Sequence, residues 1–219
     1  MRDDLVDRHL VEAYQSRQRR GKSSNDSQMR MTNREMNLIF MMMRMETSSM
    51  DVAEIYGPER VTTMTKKYEL NATWALDLIT IDEIGRAWDF DCVHMRNKAT
   101  RKLLEDKPML VIGSPMCTEF CSWMNVNHLR MAREVVEERQ RKARVHLEFC
   151  AKLYNLQITH GRYFLHEHRN SATSWHEDVI AELCQLEGVM TVSADPCRYW
   201  LKANGPSGPG PTQKPTRFM

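Results

Sequence analysis

Beyond residue 50 the chain alternates short apolar runs with longer stretches in which apolar residues recur at helical spacing. The runs at 52–56, 73–79, 109–113, 163–165 and 189–194 read as strands, being short, apolar or β-branched, and bounded by turn residues. Helices are expected over 60–70, 95–104, 132–157 and 174–186. Asp91 is placed to cap the second, Gly161 to end the third, and Ser174-Trp175-His176-Glu177 to form a capping box at the fourth. Residues 114–127 read as a loop. Each strand must return across the sheet to pair with its neighbour, so the pattern predicts an α/β fold: a doubly wound, mostly parallel sheet with helices on both faces. The Gly/Pro-rich stretch 203–211 cannot be helix or central strand and reads as a linker.

Residues 1–50 have a different texture. Leu5, Val6, Leu10, Ala13 and Tyr14 fall close to one helical face, and Thr32-Asn33-Arg34-Glu35 has capping-box spacing before a second helix. This segment holds 9 of the 17 methionines. Three regions are expected: 1–50, a Met-rich extension, helical or partly disordered; 51–202, the α/β domain; and 203–219, a C-terminal tail.

Composition narrows the functional classes. Hydrophobic residues make up 42% of the 219 and charged residues 27%, enough to bury a core. The formal net charge is +2, and residues 51–219 carry 22 basic and 22 acidic side chains, so no strong field draws the domain to a polyanion or an anionic membrane. No apolar stretch approaches the roughly 20 residues that cross a bilayer. The six cysteines lack a small-domain disulfide spacing and no signal peptide precedes them, which places the protein in a reducing, intracellular compartment, nuclear or cytoplasmic.

In a doubly wound sheet the binding crevice lies beyond the carboxyl ends of the strands. The residues expected there are Tyr56-Gly57-Pro58-Glu59, Asp77, Ser114-Pro115-Met116-Cys117, His166-Glu167-His168 and Asp195-Pro196-Cys197. Gly57 and Asp77, 20 residues apart, fit the logic of a nucleotide site: a glycine admits the ligand to the backbone and an acid accepts ribose hydroxyls. Cys117 sits on a turn directly after a buried strand. As a nucleophile it would need a base or positive potential beside it, and its bland alternative is a buried structural thiol. Strand alternation sends Glu167 to the face opposite His166 and His168. Cys117, Cys121 and the nearby histidines lack a second metal-ligand clip, so no metal site is expected.

These residues carry a resemblance. Val52-Ala53-Glu54-Ile55-Tyr56-Gly57-Pro58-Glu59-Arg60-Val61-Thr62, Ala75-Leu76-Asp77-Leu78, Gly113-Ser114-Pro115-Met116-Cys117-Thr118-Glu119-Phe120 and Phe164-Leu165-His166-Glu167-His168 follow one another as the motifs of the DNA cytosine-5 methyltransferases do. Gly161-Arg162-Tyr163-Phe164-Leu165-His166-Glu167-His168 and Lys214-Pro215-Thr216-Arg217-Phe218-Met219 look like methyltransferase-like segments of retrotransposon polyproteins. The resemblance implies a Rossmann-like fold that uses S-adenosylmethionine. By position, Tyr56 and Gly57 would lie beside the cofactor, Asp77 on its ribose, Asp89 near its adenine, and Pro115 along the same crevice. Cys117 would attack carbon 6 of cytosine and Glu167 engage nitrogen 3, making carbon 5 electron-rich.

The substrate implied is cytosine in DNA or RNA. The chain departs from the family where Pro58, Glu59 and Arg60 replace further glycines and where Met116 precedes Cys117 in place of proline. No arginine-bearing motif or recognition region is recognisable after Asp195, so the chain reads as a fragment or degenerate copy. The alternative expectation is a catalytically inactive methyltransferase-like module of a mobile-element protein, kept for a structural or interaction role.

Overall fold

The computed structural model describes residues 50–205, 208–212 and 214–219. The helices and Met-rich run expected within 1–49 lie outside the described residues. The elements are β1 (Val52–Ile55), α1 (Val61–Thr65), β2 (Ala72–Leu76), α2 (Val93–Asp106), β3 (Leu110–Gly113), α3 (Ser122–His128), α4 (Arg133–Thr159), β4 (Tyr163–Arg169), α5 (Asp178–Gln185), β5 (Val192–Ala194), β6 (Lys202–Gly205), β7 (Gly208–Pro211) and β8 (Thr216–Phe218). Six strands form one sheet in the order β2-β1-β3-β4-β8-β5, and β6 pairs with β7 in a separate ribbon. β2, β1, β3 and β4 run parallel, while β8 is antiparallel to both its neighbours. This is the expected α/β architecture with a mostly parallel sheet, compatible with a Rossmann-like fold. Among the described residues, no helix is long and apolar enough to cross a membrane.

Alternation along the strands divides the core. Ala53, Ile55 and Val111 pack against Ala99 and Leu103 of α2 and Phe149 and Leu153 of α4. Val52 and Glu54 therefore point to the other face, where Glu54 meets α1. A second cluster joins Leu147, Cys150 and Tyr154 of α4 to Trp175, Ile180 and Leu183, with Phe164 of β4 against it. Helices α2, α4 and α5 thus pack on one face, and α1 lies on the other. α4 is straightforward to derive: His146, Leu147, Cys150, Ala151, Leu153, Tyr154 and Gln157 repeat every three or four residues and are its buried positions. Its exposed front half carries the ion pairs Arg133–Glu137 and Arg141–Glu138. Buried Gln157 donates to the carbonyls of Pro108 and Tyr163, tying the starts of β3 and β4 to the end of α4.

Several expected elements take a different form. The helix over 60–70 is only α1 followed by a 3-10 turn at Lys66–Tyr68, because Glu69 turns into the left-handed region (φ 59°). Asp91 does not cap α2: its carboxylate meets His146, and Cys92 stands at the cap without a side-chain bond. Ser174 and Glu177 form no capping box. Ser174 bonds His168 and Glu177 bonds Arg144, so the segment is a 3-10 turn ahead of α5. The loop expected at 114–127 contains α3.

The tail is the largest correction. Lys202–Gly205 and Gly208–Pro211 pair as the β6–β7 ribbon, and β8 enters the main sheet between β4 and β5. Glycine and proline are tolerated because both ribbon strands are edges. Thr216 and Met219 are buried, which a solvated tail would not allow.

Candidate active site at the carboxyl edge of the sheet

The order of the sheet reverses between β1 and β3, so the topological switch point lies at the carboxyl ends of these two strands. Leaving β1, the chain turns at Tyr56, which has φ 61°. The sequence suggests Gly57 as the permissive residue here, yet it is Tyr56 that adopts the left-handed conformation. A Cβ on Gly57 would meet nothing nearer than Glu54 Oε2 at 3.9 Å. Glu54 organises the turn from below. Its Oε1 accepts hydrogen bonds from the amides of Arg60 (3.1 Å) and Thr62 (2.7 Å) and from the Thr62 hydroxyl (2.7 Å), so a buried carboxylate shapes the loop.

Tyr56 sits where the two core clusters meet, its ring 4.8 Å from Phe90 and 6.3 Å from Phe149. Its hydroxyl is 2.8 Å from His146 Nδ1, and His146 Nε2 is 3.1 Å from Asp91 Oδ1. Burial raises the tyrosine pKa and lowers that of His146. A neutral imidazole with Nε2–H toward Asp91 and Nδ1 accepting from Tyr56 satisfies all three groups. Asp77 follows β2 directly. Its Oδ1 accepts the Ile79 amide, an Asx turn that leaves Oδ2 open. Asp89 is exposed and its Oδ1 accepts the Asp91 amide.

Gly113, the last residue of β3, lies against Tyr154: a Cβ there would stand 2.0 Å from the phenolic oxygen. The chain then runs through buried Pro115 to Cys117, which is half-buried at the start of a 3-10 turn, Thr118–Phe120. Of the six free cysteines it is Cys150 that is fully enclosed, its thiol pushed up to about 12 by burial. The Cys117 loop is pinned to β4. His168 Nε2 is 2.8 Å from the Pro115 carbonyl and its Nδ1 is 2.6 Å from the Ser174 hydroxyl. The carbonyl can only accept, so Nε2 carries the proton and Nδ1 accepts from Ser174. Burial depresses the His168 pKa and keeps this neutral form. His166, also depressed by burial, holds Tyr154 at 3.0 Å.

The sequence suggests that His166, Glu167 and His168 follow a strand, but they lie within β4, which extends beyond its pairing with β3 to pair with β8. Their alternation is as expected: both histidines are buried on the face of α4 and α5, and Glu167 leaves on the other. There Glu167 Oε1 is 3.2 Å from Lys214 Nζ.

Cys117 and Glu167 therefore come from neighbouring strands at one edge. Pro115 and Phe120, which flank Cys117, are anchored on the histidine face. Tyr56, Gly57 and Asp77 lie beyond the adjacent strands. The contacts that His146, Asp91, His168, Ser174, Glu54 and Lys214 make here escape sequence reasoning. Only Glu54 leaves a trace, an acid on an otherwise apolar strand eight residues before Thr62.

A cleft of about 720 Å³ opens outside edge strand β2, among Trp74, Leu76, Ile79, Trp88, Lys98 and Arg101; of the residues expected at the crevice Glu59 lines it, while Tyr56, Gly57, Asp77, Asp89, Pro115, Cys117 and Glu167 do not. Among the described residues no group of three His, Cys, Asp or Glu side chains is placed to hold a metal ion. No family model matches the sequence, and no curated protein and no solved structure matches it.

Proposed function

We propose that residues 51–219 form a methyltransferase-like domain that uses S-adenosylmethionine and acts on carbon 5 of cytosine in nucleic acid. One observation carries the reading. The half-buried Cys117 follows β3 in a loop whose Pro115 carbonyl is hydrogen-bonded to His168, the residue next to Glu167 on the neighbouring strand β4. A nucleophile and a proton donor are needed on one base, and neighbouring strand ends about 4.8 Å apart are a suitable spacing.

The side chains at the switch point fit the polar half of a nucleoside cofactor. Asp77 and Asp89 each use one oxygen for their own turn and leave the other open to a ribose or base. Tyr56 would be a wall of the crevice, since its hydroxyl is committed to His146. S-adenosylmethionine, when bound, supplies an electrophilic methyl group. Cys117 Sγ would bond to carbon 6 while Glu167 donates to nitrogen 3, moving an electron pair to carbon 5. Carbon 5 would then take the methyl group, leaving the demethylated cofactor; loss of the carbon 5 proton to water expels the Cys117 thiolate, and the nitrogen 3 proton returns to Glu167, which restores the ring. Because Glu167 leaves β4 on the face opposite the anchors of Cys117, the base must lie across the end of β4. It must also displace Lys214 from Glu167.

Incubation of the full chain with methyl-labelled cofactor and a cytosine-containing oligonucleotide tests this. Wild type should label the oligonucleotide, Cys117→Ala should not, and Glu167→Gln should lose about 10²–10⁴-fold. Equal labelling by wild type and Cys117→Ala would sink the nucleophile assignment. The Glu167–Lys214 pair favours a second reading, a non-catalytic module of the same fold. Calorimetry showing micromolar S-adenosylmethionine binding would count against it.

A further inference from the structure

The carboxyl edge of the sheet carries exposed aromatic side chains that the proposed chemistry does not use. Trp123 of α3 is 72% exposed, and Tyr199 and Trp200, which follow β5, are 70% and 85% exposed. Topology puts them on one rim. α3 belongs to the connection leaving β3, residues 195–201 leave β5, and β5 runs parallel to β4 because both are antiparallel to β8. Crossing the rim from β3 to β5 spans three strand spacings, about 14 Å. That is roughly the length of four stacked nucleotides of one strand at 3.4 Å each. Glu167 and Lys214 lie at the middle of this span.

Charge on the same rim favours an anionic partner. Arg130, Arg198 and Lys202 form no ion pair with a described residue, whereas the rim acid Glu119 is taken by His128 and Arg139, and Glu167 by Lys214. Asp195, Glu134 at the start of α4 and Asp178 at the start of α5 are rim carboxylates that form no ion pair with a described residue, and Arg169 at the end of β4 is a fourth such cation. Exposed aromatic faces interleaved with unpaired cations are what an unpaired strand requires, because every base offers a π-face and every linkage a phosphate. A duplex hides its base faces, and with zero net charge over 51–219 the domain has no strong field of its own to draw one in.

We infer that this rim is a stacking platform for single-stranded nucleic acid, with Trp123 at one side, Tyr199 and Trp200 at the other, and Arg130, Arg198 and Lys202 on the phosphates. The inference rests on the reading above and deepens it. The preferred substrate is a cytosine already out of the helix, which spares the few kcal/mol that flipping costs.

The test is a fluorescence-anisotropy titration of the full chain with a labelled 12-nucleotide cytosine-containing DNA strand, its ribonucleotide counterpart and the corresponding DNA duplex. Single strands of both kinds should bind at least tenfold more tightly than the duplex. The logarithm of affinity should fall with the logarithm of salt at a slope of about −2, from three phosphate contacts at about −0.7 each. Trp200→Ala and Trp123→Ala should each weaken binding between about fivefold and a hundredfold.

Tyr68→Ala should have no effect, because Tyr68 is equally exposed but precedes β2 and so lies at the opposite edge. Duplex binding equal to or tighter than single strands, or full affinity in both tryptophan variants, overturns the platform. The two proposals fail separately. Single-strand binding without methyl transfer, with affinity kept in Cys117→Ala, supports the platform and removes the enzyme. Methyl transfer confined to a duplex, with single strands unbound, overturns the platform alone.

Discussion

Gly113→Ala should damage the domain far more than a single added methyl suggests. The new Cβ would stand 2.0 Å from Tyr154 Oη, 2.9 Å from Cζ and 3.2 Å from Cε1. Tyr154 cannot step aside. It is fully buried, stacked on Phe164 at 4.5 Å and hydrogen-bonded to His166. Overpacking of this kind costs about 1–3 kcal/mol. If the tyrosine is forced off His166, unpaired buried polar groups add about 1–3 kcal/mol. The sum, about 2–6 kcal/mol, is a large share of an ordinary folding free energy. Urea denaturation of wild type, Gly113→Ala, Tyr154→Phe and the double variant gives the measurement. Tyr154→Phe removes the atom at 2.0 Å, so the double variant should be at least 1 kcal/mol more stable than the sum of the single effects implies. A Gly113→Ala cost below 0.5 kcal/mol, or strict additivity, would refute this account of the junction between β3 and α4.

Other outcomes follow from the buried polar groups. His146, His166 and His168 are held neutral below the unfolded histidine value by burial. As pH falls below about 6.5 the unfolded chain takes up protons that the fold refuses, so stability should drop by about 1.4 kcal/mol per pH unit for each. Urea midpoints at pH 7.5, 6.5 and 5.5 check the sign, and a flat profile would contradict it. Glu54→Ala strips three hydrogen bonds from the turn at 60–62 and should cost about 2–5 kcal/mol in thermal or chemical unfolding, with Glu54→Gln milder because it keeps an acceptor. His168→Phe should cost about 2–4 kcal/mol and raise amide exchange across 115–121, the loop it anchors; unchanged exchange there would show that the Pro115 contact does not hold the loop.

Local periodicity made much of the fold legible. α4 is expected over 132–157 and found at Arg133–Thr159 because its buried face repeats in an unbroken pattern. The runs that became β1 and β3 stand out because they are apolar between turn residues. β4 is expected over 163–165 and found at Tyr163–Arg169, because histidine and glutamate look like surface residues. What buries the histidines is Trp175, Tyr154 and Ser174, none adjacent in sequence to β4. β8 was hidden behind a Gly/Pro stretch, and three residues are too few to announce a strand. At the candidate site the residue types could be read off, but their partners could not. The His168–Pro115 bond spans 53 positions and the Tyr56–His146 bond 90, and no spacing rule reaches so far. That Tyr56 rather than the neighbouring Gly57 takes the left-handed conformation, in a turn held by Glu54, is a tertiary effect that local propensity does not announce.

The placement of β8 governs the order in which the sheet can close. Among the described residues β5 pairs with the sheet through β8 alone, and β8 comes after every other described strand. Until Thr216–Phe218 are in place, the outer side of β4 and the whole of β5 offer unpaired backbone, the sort of exposed edge that recruits other chains. β8 is thus a keystone, and any change that delays its arrival should be felt first as clumping during refolding rather than as a weaker finished fold.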